Sequence, residues 1–307
     1  MTRHLLDLDQ VGSKGIAEIL ALCEPARGQD LASLSAALVF EKPSARTRNA
    51  TEMAVVDLGG HAIVINDAEV GIDRRETAED VARTLGCYHQ IVAARVHDHH
   101  VLERMAGALD ADEADVSVIN LLSDHSHPCQ GLADALTMRQ VFDGEVAGRR
   151  VAYIGDANNV TISLVQVSLA LGMDVIVAAP ERYQLSGEVV AELATFGLLS
   201  GATLRTTADP REAAEGASVL YTDVWTSMGQ EAEREKRLQD LAGYSIDTAL
   251  CALASDDAVV LHCLPAHRGE EIAAEVLEGP RSKIWLQAAH RRTAMRGVFR
   301  WVRSTLP

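Results

Sequence analysis

The sequence predicts an α/β protein of two doubly wound parallel-sheet domains, and three observations carry that reading. Short apolar runs alternate with amphipathic stretches from end to end. Candidate strands are separated by single helix-length segments, which implies parallel sheets with helices on both faces. At 307 residues the chain is long for one module and comfortable for two domains of ordinary size.

Strands of a first series fall at 37–40, 61–65, 91–96 and 116–121, with helices near 46–58, 76–88 and 99–109. A second series has strands at 151–154, 175–178, 203–206, 219–222 and 259–263. Its helices lie near 158–171, 186–196, 209–216 and 245–254. Between the series, the stretch 142–150 reads as a boundary, approached by a helix over 128–139. The basic helix at 286–303, with Phe299, Trp301 and Val302, is expected to pack back on the first domain. The domains are accordingly placed at 1–140 with the C-terminal helix 285–307, and at 141–284.

Composition narrows the function classes. Hydrophobic residues make up 48% and charged residues 23%, the balance of a soluble globular protein. Apolar runs such as 175–179 stop far short of a membrane span, and residues 1–7 hold no signal-peptide core. Five cysteines are an odd number without a CxxC pair, which argues against a disulfide framework and a zinc ribbon. A cytoplasmic setting is expected. Net charge is 28 − 44 = −16, which argues against nucleic acid or an anionic membrane as partner. Four Lys stand against 24 Arg, so an anionic substrate must be met by a few concentrated arginines.

In open α/β sheets ligands bind beyond the carboxyl ends of strands, and four polar motifs sit there. Glu41-Lys42-Pro43-Ser44-Ala45-Arg46-Thr47-Arg48 enters a helix. Free N–H groups, hydroxyls and guanidinium groups at such a helix start suit a phosphate. An N-cap Ser44 followed by a solvated basic turn fits the same residues. In His125-Ser126-His127-Pro128-Cys129-Gln130, Pro128 takes the first helical position and puts His127 at the N-cap. There a neutral imidazole can bond a carbonyl oxygen as charge builds on it, or serve only as a cap. Thr222-Asp223-Val224-Trp225-Thr226-Ser227-Met228-Gly229 and His262-Cys263-Leu264-Pro265 complete the set, with Cys263 readable as a structural thiol.

Together these motifs make the chain resemble the aspartate/ornithine carbamoyltransferase family, in its ornithine branch, over essentially the full length. Ser44-Ala45-Arg46-Thr47-Arg48 matches the family's phosphate loop and His127-Pro128-Cys129-Gln130 its carbamoyl turn. Asp223 with Ser227-Met228-Gly229, and His262-Cys263-Leu264-Pro265, mark the ornithine branch. The resemblance implies carbamoyl phosphate on Ser44, Ala45, Arg46, Thr47, Gly71, Arg95, His127, Pro128, Cys129 and Gln130, with the Cys263-Leu264 backbone and Arg291 closing the site. It implies L-ornithine on Asn159, Asp223, Ser227 and Met228. Arg46, His127 and Cys263 take the catalytic roles, Cys263 as proton acceptor; a thiolate there calls for a pKa depressed beside arginines. No cofactor and no metal are implied. The resemblance further implies a homotrimer, or a multiple of trimers, in which the loop near Glu69 to Thr77 serves a neighbour's site, and a place in arginine biosynthesis.

This sequence departs from the pattern in places. Ala45 replaces a Thr, Gly71 stands where relatives carry a side chain that reaches the neighbouring subunit, and His290 precedes Arg291 in place of Asn. Gly71 is read as permitting an exposed turn. Competing readings are a carbamoyltransferase for putrescine, lysine or an acylated ornithine, and a non-catalytic binding protein of the same fold. A dinucleotide enzyme is disfavoured: after Gly155, Val160 takes the place of the fingerprint's third glycine. The run His97-Asp98-His99-His100 reads as a solvated turn, with no partner ligands at metal spacing.

Overall fold

The computed structural model describes residues 2–226 and 231–304; Ser227 and Met228 lie outside the described residues. The chain runs through α1 (Gly12–Ala21), β1 (Ser35–Phe40), α2 (Ala45–Asp57), β2 (His61–Asn66), α3 (Asp67–Val70), α4 (Ala78–Gly86), β3 (Ile91–Arg95), α5 (His99–Ala111) and β4 (Ser117–Leu122). Next come α6 (Pro128–Val141), β5 (Arg150–Ile154), α7 (Asn159–Ala170), β6 (Asp174–Ala178), α8 (Gly187–Ala194), β7 (Leu204–Thr207), α9 (Pro210–Ala214) and β8 (Val219–Thr222). The rest is α10 (Arg234–Asp240), α11 (Thr248–Cys251), β9 (Val259–His262), α12 (Ala274–Leu277) and α13 (Ile284–Arg303). Among the described residues the strands form two sheets, ordered β2-β1-β3-β4 and β7-β6-β5-β8-β9, and every named pairing is parallel.

Two compact units divide the chain: Met1–Ala133 with Ala289–Pro307, and Asp134–Ala288. The division falls inside α6 and α13, some residues away from the expected boundaries at 140 and 284. Side-chain bonding explains the position. Asp134 accepts from Tyr221 Oη at 3.1 Å and from Gln287 Nε2 at 2.7 Å, so both residues belong with the second sheet.

Central strands bury both faces, as parallel strands under helices must. β3 is buried along its whole length, whereas β2, at the sheet's edge, alternates between exposed and half-buried. In the first unit Val39, Val92 and Val118 pack with Val81, Leu102, Met105 and Leu109. In the second, Ile154, Ile176, Leu220 and Val260 pack with Leu250, Ile272 and Leu277. As expected, α13 returns to the first unit. Its Arg292 reaches Asp57 at 2.7 Å, Arg300 the carbonyls of Leu22 and Pro25, and Trp301 Nε1 the Glu18 carboxylate. The Arg292 bonds, more than those of Arg296, hold the Asp57 carboxyl below its ordinary range.

Sheet order fixes where ligands go. From β1 the chain winds outward to β2, then returns to β3 and winds the other way to β4. The crevice therefore opens at the carboxyl ends of β1 and β3, and by the same logic at β5 and β8 in the second unit.

Candidate functional site

At the first switch point, register sets Phe40, the last residue of β1, beside Arg95, the last of β3. Five residues later α2 begins, capped by Ser44, whose Oγ accepts from the Thr47 N–H at 3.3 Å. No acidic residue occupies the first turn, so the positive end of the helix is left for a ligand. Thr47 is buried, while Arg46 and Ala45 beside it are exposed. Arg46 makes no ion pair among the described residues, which leaves its guanidinium for an anion.

The Thr47 hydroxyl is the junction of this half-site. Arg95 Nη1 lies 3.4 Å from its Oγ1 and Arg291 Nη2 2.8 Å, both guanidinium groups being buried. A hydroxyl oxygen has two lone pairs. The two guanidinium donors share that oxygen with the Ser44 hydroxyl, which donates to it from 3.1 Å. Arg291 Nη1 also donates to Gln130 Oε1 at 2.7 Å, tying the phosphate loop to the first turn of α6.

At that turn the His127 carbonyl accepts from the Gln130 N–H at 2.9 Å, so His127 occupies the expected N-cap position ahead of Pro128. His127 is buried. Burial first, then the charges of Arg291 and Arg95, push its imidazole well below the ordinary range, and it is neutral at physiological pH. The Cys129 thiol turns away to the Asn120 carbonyl at 3.3 Å, and burial pushes it up to about 12. What Cys129 offers a ligand is its backbone.

The second switch point holds an acidic half-site. Asp223 follows β8 and is buried. Its Oδ1 accepts from Cys263 Sγ at 2.8 Å and from the Val224 N–H at 2.7 Å, while Oδ2 accepts from Asn158 Nδ2 at 3.1 Å. Asn158 also caps α7: its Oδ1 accepts from Val160 and Thr161, and Thr161 Oγ1 accepts from its N–H. Within this unit the Cys263 thiol is bonded to a carboxylate.

Two groups of ligand-type side chains converge in this unit: Asp223, His262 and Cys263, and His267, Glu270 and Glu271. Both ring nitrogens of His262 are already bonded, to Leu264 N and Glu271, and Glu270 pairs with Arg234. The His97–His100 run scatters: Asp98 caps α5, His99 Nδ1 meets Ser123 Oγ, and His100 pairs with Glu103.

Comparison with known proteins decides the family. A model described as the aspartate/ornithine carbamoyltransferase carbamoyl-P binding domain matches residues 3–140, and one described as the Asp/Orn binding domain matches 147–302. The chain belongs to the aspartate/ornithine carbamoyltransferase family. It is 45% identical over 304 residues to an ornithine carbamoyltransferase of Thermus thermophilus, covering 97% of this chain and 96% of that one. It is 49% identical over 257 residues to one from Acidothermus cellulolyticus, covering 84% and 80%. The solved ornithine carbamoyltransferase of Pyrococcus furiosus superposes with a TM-score of 0.90 at 39% identity, covering 97% and 96%.

Within this carbamoyltransferase fold the structure brings Ser44, Thr47, Arg95, Gln130 and Arg291 into one bonded group. It brings Asp223 and Cys263 into another. Asn159 starts α7 beside them, with Asn158 as cap. Gly71 ends α3 at φ 60°, where a side chain is disfavoured, and lies buried under Arg75, while Asp73, Arg74 and Arg75 in the turn that follows are exposed as expected. Sequence reasoning left Asn158 without a role, although Asn at a strand-to-helix junction with Thr three residues on is a cap signal. It also gave no role to Gln287, Asp134 or Glu271, which no motif spacing singles out.

Proposed function

We propose that this chain transfers the carbamoyl group of carbamoyl phosphate to the δ-amine of L-ornithine, giving L-citrulline and phosphate. The observation that carries the reading is the Thr47 hydroxyl held between two buried guanidinium groups, with the buried, neutral imidazole of His127 in the field of the same two arginines. Such an arrangement accepts a dianionic phosphate and a polar carbonyl together, without a cofactor.

Ser44, Arg46, Thr47, Arg95 and the backbone of Ala45 hold the phosphate. His127, Gln130, Arg291 and the Cys129 backbone take the carbamoyl group. Asp223, Asn159, Ser227 and Met228 take ornithine, with Asp223 meeting its α-ammonium. The unprotonated δ-amine attacks the carbamoyl carbon. Charge builds on the carbonyl oxygen, where the His127 N–H donates. The C–O bond to phosphate then breaks with its electron pair going to phosphate, where Arg46 and Arg95 offset the charge. One proton leaves the amine nitrogen. Cys263 accepts it, and it ends on the phosphate. Because Cys263 shares its proton with Asp223, acceptance requires that pair to have lost one, and ornithine's ammonium beside Asp223 makes that loss easier.

We further read the protein as a cytoplasmic homotrimer serving arginine biosynthesis, with no nucleic-acid or membrane partner. No described helix is long and apolar enough to cross a membrane. Exposed Met53, Val56 and Ile63 on α2 and β2 offer an apolar face to a second copy. The loop after Gly71 carries exposed Arg74 and Arg75, suited to a neighbour's anion.

Two experiments test this reading. The first compares citrulline formation from ornithine with carbamoylation of putrescine and lysine; equal rates would remove Asp223 from substrate choice. In the second, Arg46→Ala chains are refolded with chains whose residues 70–75 are replaced by Gly-Ser. Random trimers should recover about a quarter of the sites, since a live site needs one intact part from each parent. Proven mixed trimers that stay dead would refute the shared site.

A further inference from the structure

His262 ends β9 one residue before Cys263, and it is fully buried together with Glu271. Its Nδ1 lies 2.9 Å from the Leu264 N–H. A backbone N–H can only donate, so Nδ1 carries the lone pair and the ring proton sits on Nε2. That proton points at Glu271 Oε1, 3.1 Å away. The same carboxylate oxygen accepts the His267 N–H, which fixes where it lies. The backbone N–H of His262 donates to Gln287 Oε1 at 2.9 Å, and Gln287 Nε2 is held by Asp134 at 2.7 Å. His262 is therefore anchored at its ring and at its backbone.

Leu264, which the ring holds, sits at φ 61°, a left-handed conformation that a leucine adopts only where the surroundings impose it. Between these two pinned residues stands Cys263, with its thiol 2.8 Å from Asp223. We propose that Glu271 is a positioning residue for carbamoyl transfer. By fixing His262 in its Nε2–H tautomer, it makes Nδ1 the acceptor that holds the Leu264 N–H. That bond sets the backbone presenting Cys263 and Leu264 to the reactants. The proposal rests on the transferase reading, because it assumes that Cys263 and the Leu264 backbone face substrate.

Glu271→Gln and Glu271→Leu separate positioning from plain packing. The glutamine keeps an oxygen where Oε1 lies and offers N–H toward His267 Nδ1, which stands 3.6 Å from Oε2. It should keep kcat within about twofold of wild type. The leucine leaves the Nε2 proton without an acceptor and favours the other tautomer, which no longer takes the Leu264 N–H. For folded Glu271→Leu, kcat should drop roughly 10- to 100-fold, the scale of a small misplacement of reacting groups. KM for carbamoyl phosphate should change less than kcat, because the Thr47 half-site is untouched. Nitrogen-15 NMR of labelled histidine should show the Nε2–H tautomer of His262 in wild type and Glu271→Gln, and its loss in Glu271→Leu.

If Glu271→Leu does not fold, His262 itself supplies the test. His262→Asn keeps an oxygen acceptor near the Nδ1 position and His262→Phe does not, so the Asn variant should be at least about tenfold more active. Wild-type kcat in Glu271→Leu, a kcat loss with the tautomer unchanged, equal impairment by Gln and Leu, or equal activity of the two His262 variants would each overturn the proposal. A wild-type chain that makes no citrulline would instead overturn the transferase reading beneath it.

Discussion

Arg291, on the C-terminal helix, donates from Nη2 to the Thr47 hydroxyl 2.8 Å away, joining residues 244 positions apart in the chain. The contact joins α13 to the Ser44–Thr47 turn, the half-site proposed to hold phosphate. Thr47→Val tests it. The variant leaves two buried guanidinium N–H groups without their acceptor, a loss of about 1–3 kcal/mol in stability. It should lower the melting temperature and raise KM for carbamoyl phosphate by about tenfold or more. An unchanged KM would mean that the hydroxyl serves the fold alone.

Arg46 is exposed and makes no ion pair among the described residues, so its removal should barely touch stability. Arg46→Ala should nevertheless cost on the order of 2–4 kcal/mol in kcat/KM, by losing charge stabilisation on the departing phosphate. Near-wild-type turnover in this variant would take the loop out of the chemistry.

His127 links activity and stability to pH in a definite direction. Its folded-state pKa lies well below the ordinary value of about 6.5, whereas in the unfolded chain it titrates normally. Below about pH 6.5 the unfolded state therefore binds a proton that the folded state refuses. The stability present above that pH is lost as pH falls, with a slope of up to about 1.4 kcal/mol per unit. His127→Gln should lose less stability than wild type between pH 7 and 5, as measured by denaturant midpoints. His89, His99 and His290, whose imidazoles desolvation also pushes down, titrate alike in both proteins and cancel in the comparison. Parallel losses would place a charged imidazole in the folded protein.

Cys263→Ser distinguishes a proton acceptor from a shape-filler. A serine hydroxyl can still donate to Asp223 but does not ionise in the working range. The expected result is a kcat lowered about 100-fold or more, with the rise of rate toward alkaline pH abolished. A raised KM with an unchanged pH profile would leave Cys263 a binding residue.

Much of the fold is legible because strands buried on both faces read as continuous apolar runs. Val92 and Ala93 in β3, or Val175 to Val177 in β6, need no partner to be recognised. α10 shows where that signal fails. Arg237 is its buried residue, held by Asp156 at 2.7 Å and by the Trp225 carbonyl at 3.0 Å, so the helix has no apolar period to read. α1 also escaped, since Gly12 and Gly15 in its first turns weaken the helical signal. The helix expected over 245–254 shrinks to the single turn of α11. Motif residues of the site stand at strand ends, where topology tells the reader to look. Asn158 carried a short-range cap signal, but Gln287 and Glu271 act through bonds to other segments, and spacing along the chain carries no trace of those.

The central claim is that this chain moves a carbamoyl group to an amine, rather than binding or hydrolysing carbamoyl phosphate. Phosphate release and citrulline formation, followed together in one reaction of the wild-type protein, test it most directly. The account predicts one citrulline for each phosphate, with release above the spontaneous rate only when ornithine is present, and loss of both products in Arg46→Ala. Phosphate released at the same rate without ornithine, or no citrulline from the wild-type protein, would contradict it.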